Sequence, residues 1–176
     1  MGEYYPAEIR IGGKVPAKLL DGFLSEATST GASMGDYEEA TFAAENVEEL
    51  VKALDEDGHL VLADSQASYG QFEGLEAFCL RHDIPFDRHS DAHYEVDAEN
   101  IYFRAGMEQP ASVPSNNCRD DLTDADEIRP VAKELTRLTT AGLDREGLLA
   151  AVLKVSAELN AALPPEVELL PPLEVQ

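Results

Sequence analysis

Three of the four histidines lie close together in the chain, with aspartates between them: His82, His89 and His93, with Asp83, Asp87 and Asp91. Imidazole and carboxylate groups are suitable ligands for zinc and other divalent ions. In a continuous strand His89 and His93 would be about 13 Å apart, which is too far to share one ion. A turn at residues 90–92 would bring them to roughly 5 Å across a hairpin. We therefore expect a divalent metal at His82, His89 and His93 if the chain turns there, and a solvated strand face if it does not.

A second candidate site is the segment from Asp64 to Gly70, which follows the most continuous apolar strand, His59 to Ala63. Loops between a strand and the next helix are the usual ligand sites of open α/β sheets. This position predicts a small-molecule site whose polar residues are listed here: Asp64, Ser65, Ser68 and Tyr69. The structural alternative is a capping box, since Gln71 follows Ser68 by three residues.

The elements that must position these residues alternate along the first part of the chain. Residues 7–11 alternate like a strand, and apolar residues at helical spacing follow from Leu19 to Ala27. Asn46, with Glu49 three residues later, predicts the start of a second helix. A third helix is predicted to begin near Ser68. The order βαβαβα followed by a strand or hairpin pair predicts an α+β or α/β fold, a mixed-sheet sandwich over residues 1–105.

The rest of the chain has a different character. Residues 106–123 contain two prolines and no periodic pattern, which predicts a linker. Two helical stripes predict a helical hairpin over residues 124–163, with Pro130 in the first turn of one helix and Asp144 capping the other. Residues 164–176 contain two Pro-Pro pairs and are predicted to lie extended against the body of the protein or against a partner.

Charge limits the partners that this chain can bind. The 13 basic and 35 acidic side chains give a formal net charge of −22, which opposes direct binding to nucleic acid or to an anionic membrane. The acidic segments 36–57 and 120–127 could instead contact a basic protein partner. Acidity can equally reflect solubility or a high-salt environment. No apolar run is long enough to span a bilayer and the two cysteines form no short-spaced pair, so we expect a cytoplasmic protein.

No common catalytic or cofactor motif is present in the sequence. We therefore expect a non-catalytic interaction or regulatory protein, with no cofactor other than a possible divalent metal and no assignable catalytic residue. The alternative is a small-molecule or metal-binding enzyme that uses the segment from Asp64 to Gly70 with His82, His89 or His93. A second alternative is a structural subunit of an assembly. The helical hairpin or the proline-rich tail is expected to mediate any homo-oligomerisation.

Overall fold

The computed structural model describes residues 3–35, 37, 40–94, 96–116, 118–123, 125–138 and 141–176. The chain forms two compact units, Met1–Asp120 with Val167–Gln176, and Asp121–Glu166. The strands are β1 (Tyr4–Ile11), β2 (Lys14–Val15), β3 (Ser33–Met34), β4 (Leu60–Ser68), β5 (Phe86–Ser90), β6 (Glu99–Phe103), β7 (Ala111–Pro114) and β8 (Glu174–Val175). The helices are α1 (Leu20–Ser29), α2 (Val47–Lys52), α3 (Glu73–Arg81), α4 (Ala125–Leu138) and α5 (Arg145–Ala162), with a 3-10 turn at Ala17–Leu19.

The first unit is organised around a six-stranded sheet of order β3-β4-β1-β5-β6-β7. Every pair of neighbours in this sheet runs antiparallel. The prediction of an α+β fold with a C-terminal helix pair is confirmed. The sheet is not of the mixed kind that the sequence predicted, because β4 returns beside β1 in the opposite direction instead of crossing over to run parallel to it.

One face of the sheet forms the core. Ala7, Ile9 and Ile11 of β1 are fully buried, as the period-two pattern predicts, and they pack in one cluster with residues of α1 and α3. Phe23 of α1 meets Phe78 of α3, with 6.3 Å between the ring centroids. The alternate residues of β1 therefore lie on the opposite face of the sheet.

The local signals at helix starts have mixed outcomes. The Asn46 side chain accepts a hydrogen bond from the Glu49 backbone N–H at 3.1 Å, which confirms the predicted start of α2. The third helix does not begin near Ser68, because β4 continues to that residue and pairs it with Tyr4 of β1. Helix α3 begins instead at Glu73.

The second unit contains α4 and α5, whose shared core consists of Val131, Leu138 and Val155, with Ala151 and Leu159 packed against it. Asp144 caps α5 as predicted, and its side chain accepts a hydrogen bond from the Gly147 backbone N–H at 2.8 Å. Pro130 lies inside α4 and not in its first turn, since this helix begins at Ala125.

Two segments that the sequence assigned no regular structure contribute strands to the first unit. Within the predicted linker 106–123, β7 pairs antiparallel with β6. Within the predicted tail 164–176, β8 pairs parallel with β2, and Leu173 is buried in the core. No helix in the described part of the chain is both long enough and apolar enough to cross a membrane.

Candidate functional site

The residues of the predicted ligand loop lie in a strand. Asp64, Ser65 and Ser68 belong to β4, and the Asp64 carboxylate accepts a hydrogen bond from the Gln66 backbone N–H at 2.9 Å. The crevice at the carboxyl ends of parallel strands, on which the prediction relied, does not exist in an antiparallel sheet. Tyr69 follows the strand with a positive φ of 53° and is half exposed.

Tyr69 lines a pocket of about 240 Å³, and Tyr5, Ser90 and Glu99 also line it. None of the other three predicted ligand residues lines this pocket. Its walls include the acidic side chains of Asp97 and Glu99, so it is unsuited to an anion.

A buried arginine lies on the core side of the sheet near this pocket. Arg88 is 4% exposed, and its guanidinium donates hydrogen bonds to the Gly70 carbonyl at 2.7 Å and to a Glu99 carboxylate oxygen at 3.1 Å. Its Nε lies 3.2 Å from Oε1 of Glu76. Burial raises the pKa of the Glu76 carboxyl, and the positive charge of Arg88 offsets part of that increase. Arg88 is therefore paired with the carboxylates of Glu76 and Glu99, and its role is to hold side chains of the interior together.

The three clustered histidines occupy three different environments. His82 follows the last residue of α3 and contacts the Phe78 ring at 4.5 Å between centroids. His93 stacks on Tyr5 at 5.6 Å between centroids. His89 is buried, with Nδ1 2.7 Å from Oδ1 of Asn100 and Nε2 3.1 Å from Oδ1 of Asp91. Within the described residues, no group of side chains with metal-binding spacing includes any of these three histidines.

His89 also lines a polar pocket of about 280 Å³ on the sheet face opposite the core helices. Strand register places Glu8 opposite His89 and Arg10 opposite Asp87 on this face. The Arg119 guanidinium reaches the pocket and binds both carboxylate oxygens of Glu8, at 2.6 and 2.8 Å. An anionic ligand would have to displace that carboxylate from Arg119.

Metal-binding spacing occurs in a different place. Among the residues that the structure describes, Asp55, Asp57 and His59 each offer a ligand atom, and these atoms lie within 4.8 Å of one another. The group lies in the turn between α2 and β4. Sequence reasoning missed it, although the alternating spacing Asp-x-Asp-x-His was a signal that could have found it.

The second unit presents an apolar surface on α5. We define the α5 apolar face as Leu148, Leu149, Val152 and Leu153, all of which are exposed. The apolar spacing of the sequence predicts that these four residues share one stripe of α5 with Ser156 and Leu159. The structure divides that stripe, because Leu159 packs against the core shared with α4, beside Val155, while Leu149 and Leu153, one turn apart, are 61% and 63% exposed. The apolar arc is wider than a single partner helix covers.

Cys79 offers no activated nucleophile. Cys79 is buried, and burial raises the pKa of its thiol to about 12, so the reactive thiolate is not formed near neutral pH. Cys118 is exposed, and neither cysteine forms a disulfide.

No protein-family model, no curated protein and no solved structure matches this chain. No relative therefore suggests an activity, a ligand or a partner for it.

Proposed function

We propose that this protein is a non-catalytic interaction protein that self-associates through the α5 apolar face. The observation that carries this proposal is the exposure of Leu149 and Leu153, with Leu148 and Val152 beside them on one side of a regular helix. A contiguous exposed apolar face on a helix is typical of an interaction surface, because leaving it in water costs free energy that association recovers.

The small core of the helix pair supports a partner for this face. Only Val131, Leu138 and Val155 are buried among the described residues of the second unit. Units of this size seldom bury enough apolar surface to be stable alone, and oligomerisation is a common remedy. A second α5 would supply the missing half of such a core, as in a four-helix bundle.

Charge favours a second copy of this chain as the occupant. Helices α4 and α5 contain five basic and five acidic side chains, so they are neutral within a chain whose net charge is −22. Two copies can therefore meet through these helices without direct repulsion at the contact, whereas the rest of the two chains repel each other. A basic partner would gain no electrostatic advantage at a neutral surface.

The symmetry of such a contact is simple. Leu149 and Leu153 are four residues apart, and this spacing lets one helix insert its side chains between those of an identical helix. A two-fold contact uses the same patch on both copies, so each leucine contributes twice.

Sedimentation equilibrium of the full chain tests the proposal over a wide concentration range. We expect a reversible monomer–dimer equilibrium that tightens as salt is added, because salt screens the repulsion between the two acidic chains. A chain that stays monomeric at every concentration would refute self-association. A complex that forms only with an added basic protein and weakens with salt would favour the basic-partner hypothesis instead.

The basic-partner hypothesis remains a second proposal, which charge supports. Parts of both acidic segments lie outside the described residues, namely Asp36, Glu38, Glu39 and Asp124. The two unpaired cysteines fit a reducing compartment, so the cytoplasm is the location that we propose.

A further inference from the structure

We infer that Asp55, Asp57 and His59 form a binding site for a divalent transition-metal ion, with zinc as its representative. The site lies in the turn that leads into β4, on the first unit, and is independent of the α5 apolar face. Three features support it: a buried nitrogen of His59, a contact on the other side of the ring that selects the tautomer, and two carboxylates beside the nitrogen.

The His59 side chain is buried, with the residue 7% exposed. Its Nδ1 is buried and has no hydrogen-bond partner among the residues that the structure describes. The nearest carboxylate oxygen, Oδ1 of Asp55, is 3.6 Å away, which is too far for a hydrogen bond. A buried polar atom without a partner carries a desolvation cost, which a bound ion would remove.

The other nitrogen of the His59 ring makes a contact that selects the tautomer. His59 Nε2 lies 3.0 Å from the Leu170 carbonyl oxygen, which can only accept a hydrogen bond. Nε2 therefore carries the proton, and in the neutral ring Nδ1 holds the free electron pair. Metal-binding histidines characteristically donate their other N–H to a carbonyl or carboxylate in this way, since that contact selects the tautomer and orients the ring.

The carboxylates of Asp55 and Asp57 lie beside the His59 ring. Oδ1 of Asp55 accepts hydrogen bonds from the backbone N–H groups of Asp57 at 3.0 Å and His59 at 2.8 Å, so this carboxylate is held in place. Asp57 is exposed, and one of its carboxylate oxygens lies within 4.8 Å of the ligand atoms of Asp55 and His59. Ligand atoms bound to zinc at about 2.0–2.2 Å are roughly 3.4 Å apart in tetrahedral geometry. The three ligand atoms of this group lie within 4.8 Å of one another, so they need to move only slightly closer together to bind one ion.

The surrounding charges are mixed. Nη2 of Arg10 lies 3.8 Å from Oδ2 of Asp55 and opposes a cation there, but the arginine side chain is 40% exposed and can turn to solvent. The net charge of −22 attracts cations to the molecule as a whole.

The donor set defines the class of metal. One imidazole and two carboxylates suit zinc or manganese, whereas magnesium and calcium prefer a shell made of oxygen atoms alone. Three protein ligands leave at least one coordination position for water.

Isothermal titration of the chelator-treated full chain with zinc chloride tests the site. We expect one zinc ion per chain, and at least about tenfold weaker binding in His59→Gln and in Asp57→Asn. Glutamine can still donate to the Leu170 carbonyl but lacks a nitrogen at the Nδ1 position. Asp57 is exposed, so its variant should fold normally, and circular dichroism checks this for both variants. Glu56→Gln is the matched control, since Glu56 is exposed in the same turn and lies outside the group, and it should bind as the unmodified chain does.

Nitrogen-15 NMR of the histidine rings gives a second readout. We expect zinc to shift the His59 Nδ1 resonance strongly while Nε2 keeps its proton. The inference is overturned if the unmodified chain binds no zinc, if either variant keeps full affinity, or if zinc leaves the Nδ1 resonance unchanged.

Discussion

Replacing Leu149 and Leu153 together by alanine should abolish most of the self-association. Burying a leucine side chain fully stabilises by about 1.5–3 kcal/mol, and these two are 61% and 63% exposed before association. Each therefore has roughly 1–2 kcal/mol to gain. In a two-fold contact four such side chains are lost, so even if only half of this gain is realised, the dimer weakens by about 2–4 kcal/mol. That is a loss of affinity of about 30-fold or more.

The assay is sedimentation equilibrium of the double variant beside the unmodified chain. Alanine has a higher helix propensity than leucine, so α5 itself should remain folded, and far-ultraviolet circular dichroism should be unchanged. Lys154→Ala is the matched control, because Lys154 is exposed on the side of α5 away from the apolar face. An unchanged dimer in the double variant, or equal weakening in Lys154→Ala, would refute the assignment of the contact to this face.

Three further predictions concern the first unit. Leu173→Ala should lower the free energy of unfolding in urea by about 2–4 kcal/mol, because this side chain is buried in the core. Leu169→Ala, at a side chain that is 94% exposed, should change the free energy of unfolding by less than about 0.5 kcal/mol. Equal effects of the two substitutions would contradict the packing of residues 167–176 against the rest of the first unit. In the native chain at pH 8 a thiol reagent should modify Cys118 and spare Cys79 until denaturant is added, since burial raises the pKa of Cys79 to about 12; rapid modification of both would contradict it. The pKa of Glu76 in the folded chain lies above its ordinary value of 4.5, so protonation of Glu76 favours folding. Relative to Glu76→Gln, the unmodified chain should therefore be most stable below pH 4.5 and should lose that advantage as the pH rises through the raised pKa. A difference in urea unfolding that does not vary with pH would contradict this.

Much of the fold could be predicted from the sequence where the signal is local. The caps at Asn46 and Asp144 were predictable because each side chain bonds a backbone N–H only three residues away. The strand at β1 was predictable because alternating burial follows directly from the geometry of an extended chain. The helix start predicted near Ser68 was wrong, because pairing of β4 with β1 extends the strand through this residue. A local capping pattern cannot reveal such a pairing.

The candidate sites were less predictable, since they depend on which face a side chain occupies. One expectation from the sequence placed His89 on a solvated strand face, yet it is buried by contacts with Asn100 and Asp91. The stripe on α5 was correctly recognised as apolar, but periodicity alone does not say which of its residues meet α4 and which lie outside.

The sequence by itself determined the acidity of this protein, its α+β class and the helix pair near its C-terminus, because composition and local periodicity set these features. Only the tertiary structure decided that the clustered histidines occupy different environments and that His59 Nδ1 is buried with no hydrogen-bond partner in the described part of the chain. The physical reason is sequence distance: the carbonyl of Leu170 that orients the His59 ring lies 111 residues along the chain. A contact of that range leaves no periodic trace in the residues on either side of it.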